Sequence, residues 1–348
     1  MGELARLLSD ATRRLGELTA DGVGVRAAFE VSLHALQHST DPIEQAAAGA
    51  FGLLSLPAGP DLDVAGAARL LDQSETTTKT LVERLVDAQL LESPHPGRYQ
   101  FHDLVRLYAH QQHPEHERLP ALERLFGFYT ATAWHTLQLL RPGDQRLATA
   151  DPTWTSDGLR FADTAAALDW LEAERANLLA AIGQTATLVP ALPARLATNL
   201  TRALYGFFEV HNHWADQVLA NQTALALAYR TGDRPGQVHT HNNLGVVYKR
   251  LRRYPEALDH QQQALALYRK LGDRRGQAEA LRDLGDALRA LGRHQQAREA
   301  WQEALGLCEA LQIPEADEVR TRLAALPAET AAADSEPEGD VGPHAATG

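Results

Sequence analysis

Fifteen histidines are scattered along the 348-residue chain, and three groups of them have spacings that could hold a metal ion. His34 and His38 are four apart, one helical turn. His110, His113 and His116 straddle Pro114. His211-Asn212-His213 falls in a turn between helices. Imidazole is a common zinc ligand, but a complete site needs three or four donors. No acid or cysteine cluster stands beside any of these groups in sequence, so the expectation is no metal site. The single cysteine, Cys308, excludes a disulfide framework and a cysteine-built zinc site. The basic run Lys249-Arg250-Leu251-Arg252-Arg253 could meet phosphates, but it straddles a helix–helix turn and reads first as a solvated helix end. No nucleophile–base pair or carboxylate dyad rises above background, so no enzyme is expected.

The net charge is −12, with 45 acids against 33 bases. That balance opposes bulk affinity for nucleic-acid backbones or anionic membranes. No apolar run approaches the ~18 residues needed to span a bilayer, and no apolar leader follows Met1, so a cytoplasmic protein is expected.

The elements that must carry these residues are helices. Apolar residues recur at i, i+3 and i+4 through most of the chain. Leu4–Glu17 reads as one amphipathic helix and Val25–Leu36 as a second. Asp41-Pro42 is a helix start, with a capping side chain ahead of a proline. Helices Ile43–Leu54, Val64–Leu71 and 74–88 follow, capped by Asp63 and Ser74. Leu90-Leu91-Glu92 and Arg98–Phe101 read as strands around a Pro94–Gly97 turn. Three helices and a hairpin predict a winged helix, followed by a helix Asp103–Gln111. Leu122, Leu125, Phe126, Tyr129 and Ala133 form one helical face. Residues 141–160 read as a polar loop, and Ala165–Ile182 as a helix.

The C-terminal third repeats itself every 40 residues. Gly232-Asp233-Arg234-Pro235-Gly236-Gln237 returns as Gly272-Asp273-Arg274-Arg275-Gly276-Gln277, and 232–271 aligned with 272–311 shows 15 identities. A fainter copy lies upstream, where Leu204, Phe208, Trp214, Ala224 and Leu225 stand 40 before Leu244, Tyr248, Tyr254, Ala264 and Leu265. Each unit predicts two helices. Gly245 and Gly285 sit inside the first helix, where glycine costs about 1 kcal/mol against alanine. That cost implies close passage of the next helix, with Ala257, Ala297, Ala264 and Ala304 as its small residues. Pro255 opens that second helix. The pattern resembles tetratricopeptide (TPR) repeats with long helices. Arg202, Asn242 and Arg282 occupy one repeat position, and Lys249 and Arg289 another. With Asn243, placed where some TPR grooves contact a peptide backbone, these six are the candidate peptide-binding residues. Residues 197–316 carry 15 bases and 13 acids, which suits an acidic or carboxylate-ended peptide.

Four segments ahead of the repeats add a resemblance. They are Val25-Arg26-Ala27-Ala28-Phe29-Glu30-Val31-Ser32, residues 81–92, Tyr99-Gln100-Phe101-His102-Asp103-Leu104-Val105-Arg106-Leu107-Tyr108-Ala109, and residues 167–178. In this order they resemble the downstream half of AfsR-type regulators, STAND ATPases of the NB-ARC class. The resemblance implies that His102 of Phe101-His102-Asp103 touches the β-phosphate of ADP and that Asp103 steadies the segment. Yet no G-x-x-x-x-G-K-[ST] occurs, and none of Lys79, Lys249 and Lys270 follows a glycine. Phosphoryl transfer lacks its phosphate cradle. No cofactor is therefore expected, and ADP only if a nucleotide-binding domain is supplied by another chain.

The expected organisation is predominantly all-α. Residues 1–38 are a remnant NB-ARC-type helical segment, 39–118 a winged-helix-like domain, and 119–196 a helical linker. Residues 197–326 form a TPR α-solenoid of three repeats with a closing helix 315–326, and 327–348 a disordered acidic tail. The expected function is a non-catalytic regulatory scaffold holding a protein or peptide partner, with a separate nucleotide-binding domain as a second partner. A nucleotide-sensing switch fragment and a DNA-binding regulator are the alternatives. The segment 43–101 has four bases and eight acids, which disfavours DNA.

Overall fold

A computed structural model of the chain describes residues 23–189 and 192–326. The helix expected at Leu4–Glu17 and the acidic tail at 327–348 lie outside the described residues. The described chain is predominantly α-helical, with one small sheet, and it divides into two compact units between Leu251 and Arg252.

The N-terminal unit opens with α1 (Val23–Gln37) and α2 (Pro42–Leu54). Strand β1 (Leu62–Asp63), α3 (Val64–Leu71) and α4 (Glu75–Asp87) follow, then β2 (Glu92–His95), β3 (Arg98–Gln100) and α5 (Asp103–Ala109). The long helices α6 (Glu115–Leu140) and α8 (Thr164–Leu188) flank the short α7 (Gln145–Ala148). Then come α9 (Arg195–Ala203), α10 (Tyr205–His211), α11 (Trp214–Thr231) and α12 (Arg234–Arg250). One buried cluster runs from Leu33 through Phe51, Leu85, Phe126, Trp134, Leu178 and Phe208 to Leu227. The C-terminal unit holds α13 (Tyr254–Leu271), α14 (Arg274–Ala290), α15 (His294–Leu311) and α16 (Glu315–Ala324).

The helices start where side chains can accept their first orphan N–H groups. Asp41 accepts from Ile43 N with Pro42 in the first turn, Asp63 from Gly66 N, Ser74 from Thr77 N and Asp163 from Ala166 N. Asp233 and Asp273 cap α12 and α14 in the same way, through Gly236 N and Gly276 N. Pro255 lies in the first turn of α13.

The sheet corrects the strand expected at Leu90-Leu91-Glu92 and adds one ahead of α3. Its order is β1-β3-β2, both pairs antiparallel, with Leu62 opposite Tyr99 and Glu92 opposite Gln100. Leu90 and Leu91 precede β2 instead of forming it. Both amides turn back to the Leu85 carbonyl and both side chains are buried. Their apolar character serves the core, while the paired strand itself is exposed. Strand β1, two residues long, has no signal in the sequence beyond the helix cap provided by its own second residue, Asp63.

Helix α6 is buried almost all round from Ala121 to Leu137. Thr130, Thr132 and Thr136 are tolerated there because each hydroxyl donates to the carbonyl four residues back. The segment expected as a polar loop is pinned to this helix. His135 reaches the carbonyls of Thr155 and Leu159, and Leu159 N donates to Thr132 Oγ1. A Cβ on Gly158 would lie 2.3 Å from the backbone nitrogen of Thr132, so only glycine permits this approach.

The 40-residue period is written into the backbone. Asn212, Arg252 and Gly292 have positive φ between the two helices of successive repeats, and Gly232, Gly272 and Gln312 have it after the second helix. The left-handed residue caps one helix and turns the chain into the next. In the first repeat, Tyr205 stands where Gly245 and Gly285 stand later, and there the first helix divides into α9 and α10 at Leu204. The expectation that alanines face these glycines needs a correction at Gly285. A Cβ there would meet the Trp301 indole at 2.3 Å, and that indole N–H donates to the Arg282 carbonyl at 3.0 Å. The glycine makes room for a wholly buried tryptophan.

Candidate functional site

The candidate peptide-binding residues all fall on the first helices of repeats, but they are not equally open. Arg202 on α9 is 7% exposed. Its Nη2 donates to Thr149 Oγ1 at 2.6 Å, and its guanidinium lies 5.5 Å from the Trp134 ring centre. Nearby, Arg146 stacks 3.8 Å over the Tyr205 ring, and Arg141 pairs with Glu209. The segment 141–149 thus lies along α9 and α10, and a peptide could reach Arg202 only by displacing it. Burial, together with the cations of Arg202 and Arg146, pushes the His239 imidazole down to about 3, so it stays neutral at working pH.

Asn242 and Asn243 on α12 are both buried. The Asn243 Nδ2 has no hydrogen-bond partner among the described residues. Lys249, near the end of α12, is half-buried. Arg282 on α14 is half-buried, 3.7 Å from both Asp283 and Glu318. Burial works against its charge, but Asp283, Glu279, Glu318 and Asp286 hold its pKa above the ordinary value. Arg289 is exposed. The series Arg202, Asn242, Arg282 is therefore not the open, cation-rich row expected of it. Arg202 packs beneath Thr149 and Trp134, and Arg282 is met by Asp283 and Glu318.

His102 is exposed and serves as the N-cap of α5, its Nδ1 accepting from Leu104 N at 3.4 Å. Asp103 is exposed in the first helical turn, where the dipole favours an acid. The basic run separates at its turn: Arg250 lies 3.9 Å from Glu209, and Arg253 2.7 Å from Glu256. On α4, Lys79 is exposed among Glu75, Glu83 and Asp87, and Glu83 accepts from the Tyr99 hydroxyl at 2.7 Å.

One polar cluster, and the carboxylate member of a second, carry no mark in the sequence. The first is buried between β3, α6 and α8. Arg98 pairs with Asp61 and with the fully buried Glu174. Asn177 Nδ2 donates to Glu174 Oε2 at 2.8 Å and to Asp61 Oδ1 at 3.0 Å, and the Tyr129 hydroxyl donates to Glu174 at 3.3 Å. Burial and the nearby Asp63 charge push the Glu174 carboxyl up to about 7, against the opposing pull of Arg98 and Asn177. The second joins Glu172 of α8 to His211 and His213, the only grouping of metal-competent side chains among the described residues. His213 Nε2 lies 2.7 Å and His211 Nδ1 3.5 Å from Glu172 Oε2. Burial works against the Glu172 charge, but His213 and Arg175 hold its carboxyl below the usual range.

A tetratricopeptide-repeat family model matches residues 221–270 and 236–310. Regulatory protein AfsR of Streptomyces coelicolor is 46% identical over 191 residues, 53% of this chain and 18% of the relative. Regulatory protein AfsR of Streptomyces griseus is 38% identical over 259 residues, 73% of this chain and 26% of the relative. The chain is homologous to the AfsR regulators and carries tetratricopeptide repeats. It spans about a quarter or less of the length of these AfsR relatives. It is also similar to a solved STAND protein with a tetratricopeptide repeat sensor from Pyrococcus horikoshii. That match has 16% identity and a TM-score of 0.34, over 83% of this chain and 49% of the other. No described helix is long and apolar enough to cross a membrane.

Proposed function

We propose that this AfsR homologue is a non-catalytic regulatory module whose tetratricopeptide repeats hold a protein partner by an extended peptide segment. The observation that carries this reading is Asn243. A buried amide without a partner costs about 1–3 kcal/mol, and a peptide carbonyl would recover it. A buried amide at this point of the repeat helix favours reading a peptide backbone, with Lys249 further along the same helix setting a preference for a carboxylate end. The helices and sheet from 39 to 118 read as a winged-helix-like module. Its acid-flanked α4 suits docking on protein, with a separate nucleotide-binding domain as the partner implied by the AfsR resemblance, better than contact with DNA phosphates.

Fluorescence anisotropy with a panel of acidic, carboxylate-ended peptides tests the reading. Asn243→Ala should weaken the best peptide about tenfold, in keeping with the loss of one buried hydrogen bond. Lys249→Glu, on the same helix, should weaken it more at low salt than at high. Unchanged affinity in both variants would remove the helix faces from the binding site.

A further inference from the structure

The turn His211-Asn212-His213 is built differently from its two counterparts. The left-handed residue recurs at 212, 252 and 292, but the flanking pairs there are Leu251 with Arg253 and Leu291 with Arg293. The turn itself therefore needs no histidine. Asn212, at φ 57°, reverses the chain between α10 and α11 and brings both imidazoles to one side, where Glu172 of α8 meets them. Their rings lie nearly parallel, 25° apart, with centres 5.6 Å from each other. Phe207 packs against both rings at 5.3 Å. The other Glu172 oxygen accepts from Arg175 Nε at 3.1 Å, and Arg175 in turn donates to Asp216 at 2.6 Å. Glu172 is thus held from behind by Arg175, as a ligating carboxylate requires, while Phe207 fixes the planes of both imidazoles.

We propose that Glu172, His211 and His213 form a binding site for a divalent transition-metal ion of the zinc class, fastening α8 to the first repeat turn. Two imidazoles and one carboxylate are a recognised zinc donor set, and three protein donors leave a fourth position for water. Tetrahedral coordination at 2.0–2.1 Å needs donor atoms about 3.3 Å apart. The three atoms here all lie within 4.8 Å of one another, so small side-chain rotations suffice. The ion takes the place of the hydrogen between His213 Nε2 and Glu172: in a neutral imidazole that proton is relocated to Nδ1, and in an imidazolium one proton leaves to solvent. Harder ions such as magnesium and calcium prefer all-oxygen shells and are excluded by the two nitrogens.

The test uses the tag-free full chain, dialysed against micromolar zinc chloride and analysed for bound metal, with cobalt(II) as a spectroscopic probe. One zinc per chain is expected, together with the visible bands of four-coordinate cobalt. His213→Gln and Glu172→Gln should each weaken zinc at least about a hundredfold while helix content by circular dichroism is unchanged. Arg175→Gln, which frees the second Glu172 oxygen, should retain zinc. The exposed pair His34 and His38, with stacked rings 3.9 Å apart, is the control. Replacing both with alanine should leave the stoichiometry at one. Absence of zinc and of the cobalt bands in the wild-type chain overturns the proposal without recourse to any variant. Zinc retained by His213→Gln, or lost with the His34/His38 pair, overturns it equally.

Discussion

Glu174→Gln removes one negative charge from the centre of the N-terminal unit and keeps its shape. The wild-type carboxyl is pushed up to about 7 when folded, from an ordinary value of 4.5, chiefly by burial and by Asp63. Between these values the folded chain binds more protons than the unfolded chain, so unfolding free energy must fall as pH rises. This contribution is fully present below pH 4.5 and is lost as pH passes through 7. Integrated from pH 5 to pH 8, it amounts to about 2.5 kcal/mol. Glutamine does not titrate, so the stability of wild type relative to Glu174→Gln should fall by that amount over the same interval. Urea unfolding at the two pH values measures the difference, followed by tryptophan fluorescence. Four of the five tryptophans, at 134, 154, 170 and 214, lie in the N-terminal unit and report on it. A difference that stays flat, or that grows with pH, would refute the reasoning. It would mean that the Arg98 ion pair outweighs burial and keeps the carboxylate charged throughout.

Two further perturbations address the repeats and the module ahead of them. Gly285→Ala should destabilise the C-terminal unit by about 1–3 kcal/mol, because its Cβ would strike an indole locked by a hydrogen bond. Gly306→Ala, with open space at its Cβ inside α15, should instead stabilise by up to about 1 kcal/mol, and thermal unfolding of both variants checks the opposite signs. Calorimetry with ADP should show no heat up to millimolar ligand. His102 already caps α5, and no glycine-rich phosphate loop precedes a lysine anywhere in the chain. Saturable ADP binding abolished by His102→Ala would instead establish a nucleotide sensor.

The sequence by itself determined the features that depend on near neighbours. Caps at Asp41, Asp63 and Ser74 started helices where they were expected, because a capping bond spans only two or three residues. The 40-residue period was legible because each helical hairpin needs the same turn, and glycine or a capping acid marks it. Strand β1 was not legible, since two residues carry no periodicity. Leu90 and Leu91 misled because an apolar pair looks the same in a strand and in a core-facing turn.

Only the tertiary structure decided which side chains meet. Whether Arg202 faces a ligand or lies beneath residues 141–149 depends on how α6 packs against α9, which no local pattern encodes. Glu172 stands 39 positions before His211, and nothing around it in sequence marks it as a partner for two imidazoles. Helix and turn geometry act over a few residues. The meeting of α8 with the first repeat turn follows from burial of a shared core, a property of the whole N-terminal unit.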